Sequence, residues 1–415
     1  MGIQYRFQSR RGGEPVSFID RLGIRPLMEG FKEYYPDPEP ITGPPADPEI
    51  VVGGKKLINF SSPNYLGLSN DKRSRAAFVS AVETYGVGTN GSGIMSGYTD
   101  EHRLAEADFA AFMGAESAVY FNSVSDATSG IMSSLVRLSL RTYVPTIDAG
   151  DVAVFCDHDN HSSLHRAVRE TQPDKVYVYR SCDAGALERW LAKSRHRRKV
   201  IVTDGYFSMS ARIAPLPAIS QLADQYGAVV VVDDAHATGV LGHGGRGTME
   251  HYRLTSDMFV VAHSAGKGLG IRGGWVAGTC DYCLYLRFSA ESYMFSGTLP
   301  ASIPAAVRCN LATMISEPWR RERVMILAER MRSHLKAEGQ LVMGEGHIVP
   351  WRIGNDAKAV RVYRGLVDWG VYAKPVVYPA VRRGEDLVRF MPMATHTDEQ
   401  VDRACEAISA VVRSG

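Results

Sequence analysis

No stretch of this 415-residue sequence approaches the roughly 20 consecutive apolar residues that a membrane-crossing helix needs. The densest apolar run, Val229–Val232, is short and β-branched, and reads as a buried strand. Charge of one sign is lacking as well. The 47 Lys and Arg residues against 45 Asp and Glu leave a formal net charge of +2, which offers no field for nucleic acid or a membrane surface. Cysteine is not clustered: Cys156, Cys182, Cys280, Cys283, Cys309 and Cys405 are scattered, so a disulfide framework is not expected. The C-x-x-C at Cys280 and Cys283 has no second pair nearby to complete a zinc site, and such cysteines pack as small apolar side chains. The opening MGIQYRFQSRRGGE is basic but lacks the apolar core of a secretory signal, and Arg6 stands where a myristoylation signal has Ser or Thr. The expectation is a cytoplasmic protein with no membrane span.

What is present is the composition of a soluble globular chain, 45% apolar and 22% charged, and too long for one core of ordinary size. Three parts are expected: an N-terminal arm over 1–55 ending in the proline-rich PDPEPITGPPADPE, a large α/β domain over 56–300, and a linking helix with a smaller α+β domain over 301–415. KKLINFSSPNYLGL reads as a short strand and a tight turn. Gly86–Gly97, with five glycines in twelve residues, reads as a loop, and His102–Met113 as a helix. An alternation follows. Strands are expected at Ser117–Phe121, Val152–Cys156, Lys175–Tyr179, Lys199–Thr203, Ala228–Val232, Met258–Ala262 and Trp275–Ala277. Helices stand between them at Asp126–Leu140, His161–Glu170, Ala184–Ala192 and Ala218–Tyr226. This pattern predicts a mainly parallel seven-stranded sheet between helices. A long helical stretch from about Ser302 to Gly339 and a closing helix near Asp398–Arg413 complete the chain.

In such sheets the ligand site lies beyond the carboxyl ends of the strands, so polar residues that follow strands should gather there. The candidates are Asp157-His158-Asp159-Asn160-His161, Asp204 to Ser208, Asp233-Asp234-Ala235-His236, and His263-Ser264-Ala265-Gly266-Lys267. His161 and His165 near Asp157 lack an H-E-x-x-H arrangement, so no metal centre is expected. No G-K-[ST] follows the glycine-rich segment, which weakens a nucleotide reading. Lys267 stands apart because Gly266 and Gly268 flank it immediately beyond an apolar strand. Glycine lets backbone approach a ligand closely, and a desolvated lysine is a Schiff-base candidate.

VVDDAHATGVLGHGGRG, from Val231 to Gly247, resembles the signature of the α-oxoamine synthases. These are fold-type-I pyridoxal-phosphate enzymes that join an amino acid to an acyl thioester with loss of carbon dioxide. Further matches follow the same order: NYLGL at 64–68, NHSS at 160–163, TDGYFSMSARIAPL at 203–216, HSAGKGLG at 263–270, FSGTLP at 295–300 and VRFMPMATHT at 388–397. The resemblance implies that Lys267 forms the Schiff base and then serves as general base, and that Asp233 pairs with the pyridine nitrogen. It implies His236 and Ser208 at the phenolic oxygen, His161 on the ring face, and Ser264 at the phosphate. Asp204 and His263 fall in the same cofactor-binding segments, as do Ser123, Val124 and Ser125 at a helix start. It further implies Arg389 on the substrate carboxylate, Asn64 lining the substrate pocket, and Ser296, Gly297 and Thr298 reaching the phosphate of a neighbouring subunit. The implied partners are an amino acid, an acyl-CoA or acyl-carrier protein, and a second copy of the chain in a homodimer with shared sites.

Three positions depart from that pattern. Gly91-Ser92-Gly93 stands where the family has Gly-Ser-Arg, Ser123-Val124-Ser125 where it has Ser-Gly-Tyr or Ser-Gly-Phe, and Gly297 where threonine is common. Val124 falls at a helix N-terminus where backbone N–H groups hold phosphate. Three readings are therefore carried: the decarboxylative condensation, a pyridoxal-phosphate enzyme using another electrophile or breaking another bond at Cα, and a non-catalytic partner subunit of the same fold.

Overall fold

The computed structural model describes residues 17–26, 28, 39–137 and 150–414. About half of the expected N-terminal arm, and the last turn expected of the 126–140 helix, lie outside the described residues.

Seven strands form the large sheet, numbered here in chain order: β1 (Ser117–Phe121), β2 (Val152–Asp157), β3 (Lys175–Tyr179), β4 (Arg198–Asp204), β5 (Ala228–Asp233), β6 (Phe259–Ser264) and β7 (Gly274–Gly278). Their spatial order is β1-β7-β6-β5-β4-β2-β3. All neighbours pair in parallel except β7, which runs antiparallel to both β6 and β1. The central strands are runs of Val, Ile and Ala because both faces are covered by helices, and β2 is buried along its whole length. On one face Val200, Val202, Val231 and Ala262 pack with Val119, Phe121 and Ile131. On the other, Ile201, Val230, Val232 and Phe155 pack with Leu187, Leu216 and Ile219.

The smaller part combines both ends of the chain. Ile41–Thr42, Glu49–Val52 and Lys55–Asn59 form a sheet that Val371–Tyr372 completes by pairing in parallel with Lys55–Asn59. A second small sheet holds Val349–Arg352, Leu387–Phe390 and Pro375–Val376. Helices Asp356–Asp368 and Asp398–Ser414 cover this region, with Phe60, Trp351, Phe390 and Ile408 in its core. The stretch expected to be helical from 302 to 339 is two helices, Ser302–Ser316 and Trp319–Ala337. Pro318 separates them: proline lacks the N–H that a continuous helix would need there. Among the described residues no helix is long and apolar enough to cross a membrane.

Candidate active site

β4, β5 and β6 end side by side, and the pleat sorts what they deliver. In parallel strands paired residues face the same side. Asp204 is paired with Asp233 and Asp233 with Ala262, so both carboxylates lie on one face, as does Ser264 two residues beyond Ala262. Asp233 is buried, and the single hydrogen bond of its carboxylate among the described residues is Oδ1 accepting the Ala235 N–H at 3.0 Å. Burial raises its carboxyl above the ordinary range, while the Lys267 charge pulls it back down. Asp204 is raised by burial and then by the like charge of Asp233. Its carboxylate accepts the His161 N–H at 3.1 Å. Burial lowers the Lys267 ammonium to about 8, against the opposing pull of Asp233 and Asp204. The chain thus sets a lysine whose proton is loosened by burial within charge range of a buried carboxylate that makes one hydrogen bond among the described residues.

Three further groups converge there. His161 caps the helix Ser162–Thr171, with Nδ1 accepting the Ser163 N–H at 3.2 Å. Its ring remains exposed, lowered in pKa by burial of its surroundings against the pull of Asp233. His236 is pinned through Nδ1 by the Tyr65 hydroxyl at 2.7 Å. Burial, then Lys267 and Arg389, hold its imidazole far below the ordinary range. Arg389, on the strand Leu387–Phe390, donates Nη1 to the Ser208 carbonyl at 3.4 Å, and its buried Nε has no partner. No carboxylate neutralises it among the described residues, and burial lowers its pKa. A guanidinium held this way carries a buried charge without a counter-ion among the described residues.

The helix Val124–Met132 opens beside the start of β7. Ser123 is its N-cap, its hydroxyl accepting the Asp126 N–H at 3.1 Å. A Cβ on Gly274 would fall 2.6 Å from Val124 N, so glycine is required where β7 crosses the helix start. The Ser125 hydroxyl accepts Arg166 Nη2 at 2.8 Å. Ser264 is buried near the end of β6, where its hydroxyl accepts the Gly266 N–H at 3.0 Å. Within the chain, Ser296 and the Gly297 carbonyl both accept the Asn122 amide, and Thr298 donates to the Gly97 carbonyl at 2.6 Å. The space that a side chain at 93 would need is filled by the Tyr293 hydroxyl, 2.6 Å from the Cβ position.

Two expected site residues are directed elsewhere. Asn64 is expected to line the substrate pocket; in the structure Nδ2 donates to Ala46 O at 2.8 Å, and Oδ1 accepts the Leu68 and Ser69 N–H groups. It shapes the turn instead. His263 precedes Ser264 on β6 and so faces the opposite side of the sheet. There it stacks on Trp275 at 5.2 Å and bonds the Thr238 hydroxyl. Conversely, Tyr65 and His347 were not singled out. Tyr65 sits inside the quoted NYLGL motif, a signal that was available; His347 carries none.

Comparison with known proteins shows the family and the fold. Residues 55–408 match the family described as aminotransferase class I and II. The 8-amino-7-oxononanoate synthase 1 of Bacillus velezensis is 36% identical over 368 residues, covering 88% of this chain and 91% of that protein. Serine palmitoyltransferase of Sphingomonas wittichii superposes with a TM-score of 0.87 at 25% identity, covering 97% of this chain and 99% of that one. A serine palmitoyltransferase structure with PLP as internal aldimine gives 0.86 at 27% identity, covering 96% and 98%.

Proposed function

Because the chain belongs to the class I and II aminotransferase family and, within it, to the α-oxoamine synthases, we propose that it is a pyridoxal-phosphate-dependent acyltransferase. It joins the α-carbon of an amino acid to the acyl carbon of a thioester, releasing the thiol and carbon dioxide and leaving an α-amino ketone. The observation that carries this reading is the buried Asp233 carboxylate, short of a cationic partner, beside a lysine lowered to about 8.

The residues fit the cofactor. A protonated pyridine nitrogen supplies the cation that a buried carboxylate at Asp233 calls for. Lys267 is the attachment point, His161 offers an exposed imidazole for the ring face, and His236 with Ser208 serves the phenolic oxygen. Asp204 orients His161 through its backbone N–H. Ser264 and the helix start at Ser123, Val124 and Ser125 take the phosphate. When bound, pyridoxal phosphate withdraws electrons from the α-carbon of an amino acid attached through its amine.

The chain's own groups do the rest. Arg389 holds the substrate carboxylate through its guanidinium. Lys267, half neutral at about pH 8, takes the α-proton. The acyl donor is a coenzyme A or carrier-protein thioester, as the family resemblance implies. Ser296, Gly297 and Thr298 extend toward a second copy, making a homodimer with shared sites. Exposed Met95 and Phe295 (83% and 79%) on the neighbouring surface are apolar enough to be covered by it. Location in the cytoplasm belongs to the same reading.

An absorbance spectrum tests the cofactor and its lysine. The purified protein with pyridoxal phosphate should show a visible band that borohydride fixes, and Lys267→Ala should lack it. Absence of the band in the unmutated protein overturns the reading and leaves the non-catalytic subunit in its place.

A further inference from the structure

His236 is a buried-site imidazole with two nitrogens and one proton, and its chemistry depends on which nitrogen carries that proton. Nδ1 lies 2.7 Å from the Tyr65 hydroxyl, while Nε2 makes no hydrogen bond among the described residues. Tyr65 is wholly buried, and among the described residues the one other hydrogen-bonding contact of its hydroxyl is the Met391 sulfur at 3.9 Å; the nearby Arg389 guanidinium can only donate. A thioether is a poor acceptor. The hydroxyl proton therefore goes to Nδ1, and the imidazole proton is confined to Nε2. The reverse arrangement would leave a buried O–H aimed at sulfur. The Tyr65 ring is itself clamped: His347 packs edge-on against it at 4.3 Å and stacks at 4.8 Å on Tyr206, whose hydroxyl donates to Glu345 O. Burial keeps Tyr65 protonated and His236 neutral, so the pair has no ionised alternative near neutrality.

We propose that Tyr65 is a positioning residue that fixes His236 as the Nε2–H tautomer, the form able to donate to the phenolic oxygen of pyridoxal phosphate. The purpose assigned to the tautomer rests on the cofactor reading above; the tautomer itself does not. Asn64, its neighbour in the motif, holds the turn that delivers Tyr65, which divides one short segment between a structural and a positioning role.

Neutron diffraction from the deuterated full chain without pyridoxal phosphate reads the tautomer directly. Deuterons are expected on Tyr65 Oη and on His236 Nε2; a deuteron on Nδ1 overturns the proposal. Spectral titration with pyridoxal phosphate supplies the second readout. Tyr65→Phe keeps the ring and should weaken cofactor binding about tenfold, the worth of one hydrogen bond to a charged acceptor. In a His236→Asn background the amide carries a donor whatever Tyr65 does, so the same change should cost less than about twofold. Equal losses in both backgrounds would mean that Tyr65 acts through packing and would refute the tautomer role. If the unmutated protein binds no pyridoxal phosphate, the cofactor reading falls and the purpose with it, whereas a deuteron on Nδ1 removes the tautomer alone.

Discussion

Glu106 and Asp233 are both buried carboxylates of the large α/β part, yet the chain treats them differently. Glu106 accepts Arg287 Nη2 at 2.5 Å, the Tyr98 hydroxyl at 2.5 Å and the Tyr120 N–H at 2.9 Å. Arg287 in turn donates to the Tyr293 hydroxyl and lies over the rings of Tyr98 and Tyr293. That cluster is closed. Around the Asp233 carboxylate, by contrast, one backbone N–H is the only hydrogen-bond donor among the described residues, and Arg389 Nε has no partner among them. Lys267, Asp204 and Asp233 act on one another by charge without a salt bridge among them. A closed buried network holds a fold together; an open one costs stability and is retained where a ligand completes it.

The largest effect should come from breaking the closed cluster. Glu106→Gln leaves Arg287 half-buried with no counter-charge, and removing one partner of such a pair costs about 3–5 kcal/mol. Denaturant unfolding should move accordingly, while the lysine-linked pyridoxal-phosphate band of the folded protein stays in place. A variant that lost the band at unchanged stability would dissolve the distinction between the two clusters.

This division was only partly legible in the sequence. The strand–helix alternation locates the sheet, and the apolar runs ending in polar residues locate its functional edge, because burial on both faces leaves polar side chains nowhere else to go. Asp233, Lys267, His161 and Arg389 are expected that way or through motif resemblance, and the structure brings them within charge range of one another. Side-chain direction is less legible. β6 runs through Ser264 instead of stopping at Ala262, and that extension sets His263 on the far face. Asn64 has the chemistry of a ligand-binding amide, and only its bonds to Ala46, Leu68 and Ser69 show that it is occupied. Tyr65 meets a histidine 171 residues away, a pairing that no local pattern encodes. The break at Pro318 was readable from proline chemistry, but helical periodicity continues on both sides of it.

The open cluster makes an opposite prediction for stability. With its pKa lowered from 10.5 to about 8 by burial, Lys267 binds its proton less tightly in the folded chain than in the unfolded one. Below pH 8 both states are protonated and the folded state carries the full penalty; the penalty is relieved as pH rises from about 8 to 10.5. Lys267→Met removes it. Without pyridoxal phosphate, this variant should be more stable than the unmutated chain by up to about 3 kcal/mol at pH 7. The gap should close as pH climbs through that window. A gap that stayed constant would mean that the lysine is well solvated and that its neighbours do not strain it.

Arg389 sharpens the comparison at its smallest scale, since stability and function should separate within one residue. Its guanidinium is buried among Tyr65, Tyr206 and the Ser208 carbonyl without a carboxylate, so Arg389→Met exchanges an uncompensated cation for an apolar side chain. Folding stability should change by no more than about 1 kcal/mol, because the desolvation relieved offsets the weak bond lost. Catalysis should respond differently. Losing a charge-assisted, two-pronged hold on a substrate carboxylate should lower kcat/KM about a hundredfold, which corresponds to about 2.7 kcal/mol of lost transition-state binding. Arg389→Lys should recover only part of that loss, since an ammonium cannot reproduce the planar fork. The check is steady-state kinetics with amino acid and acyl donor varied separately. The loss should appear in the KM for the amino acid and leave the KM for the thioester alone. A loss confined to the thioester would place Arg389 on the donor side of the site and return the carboxylate-binding role to another cation.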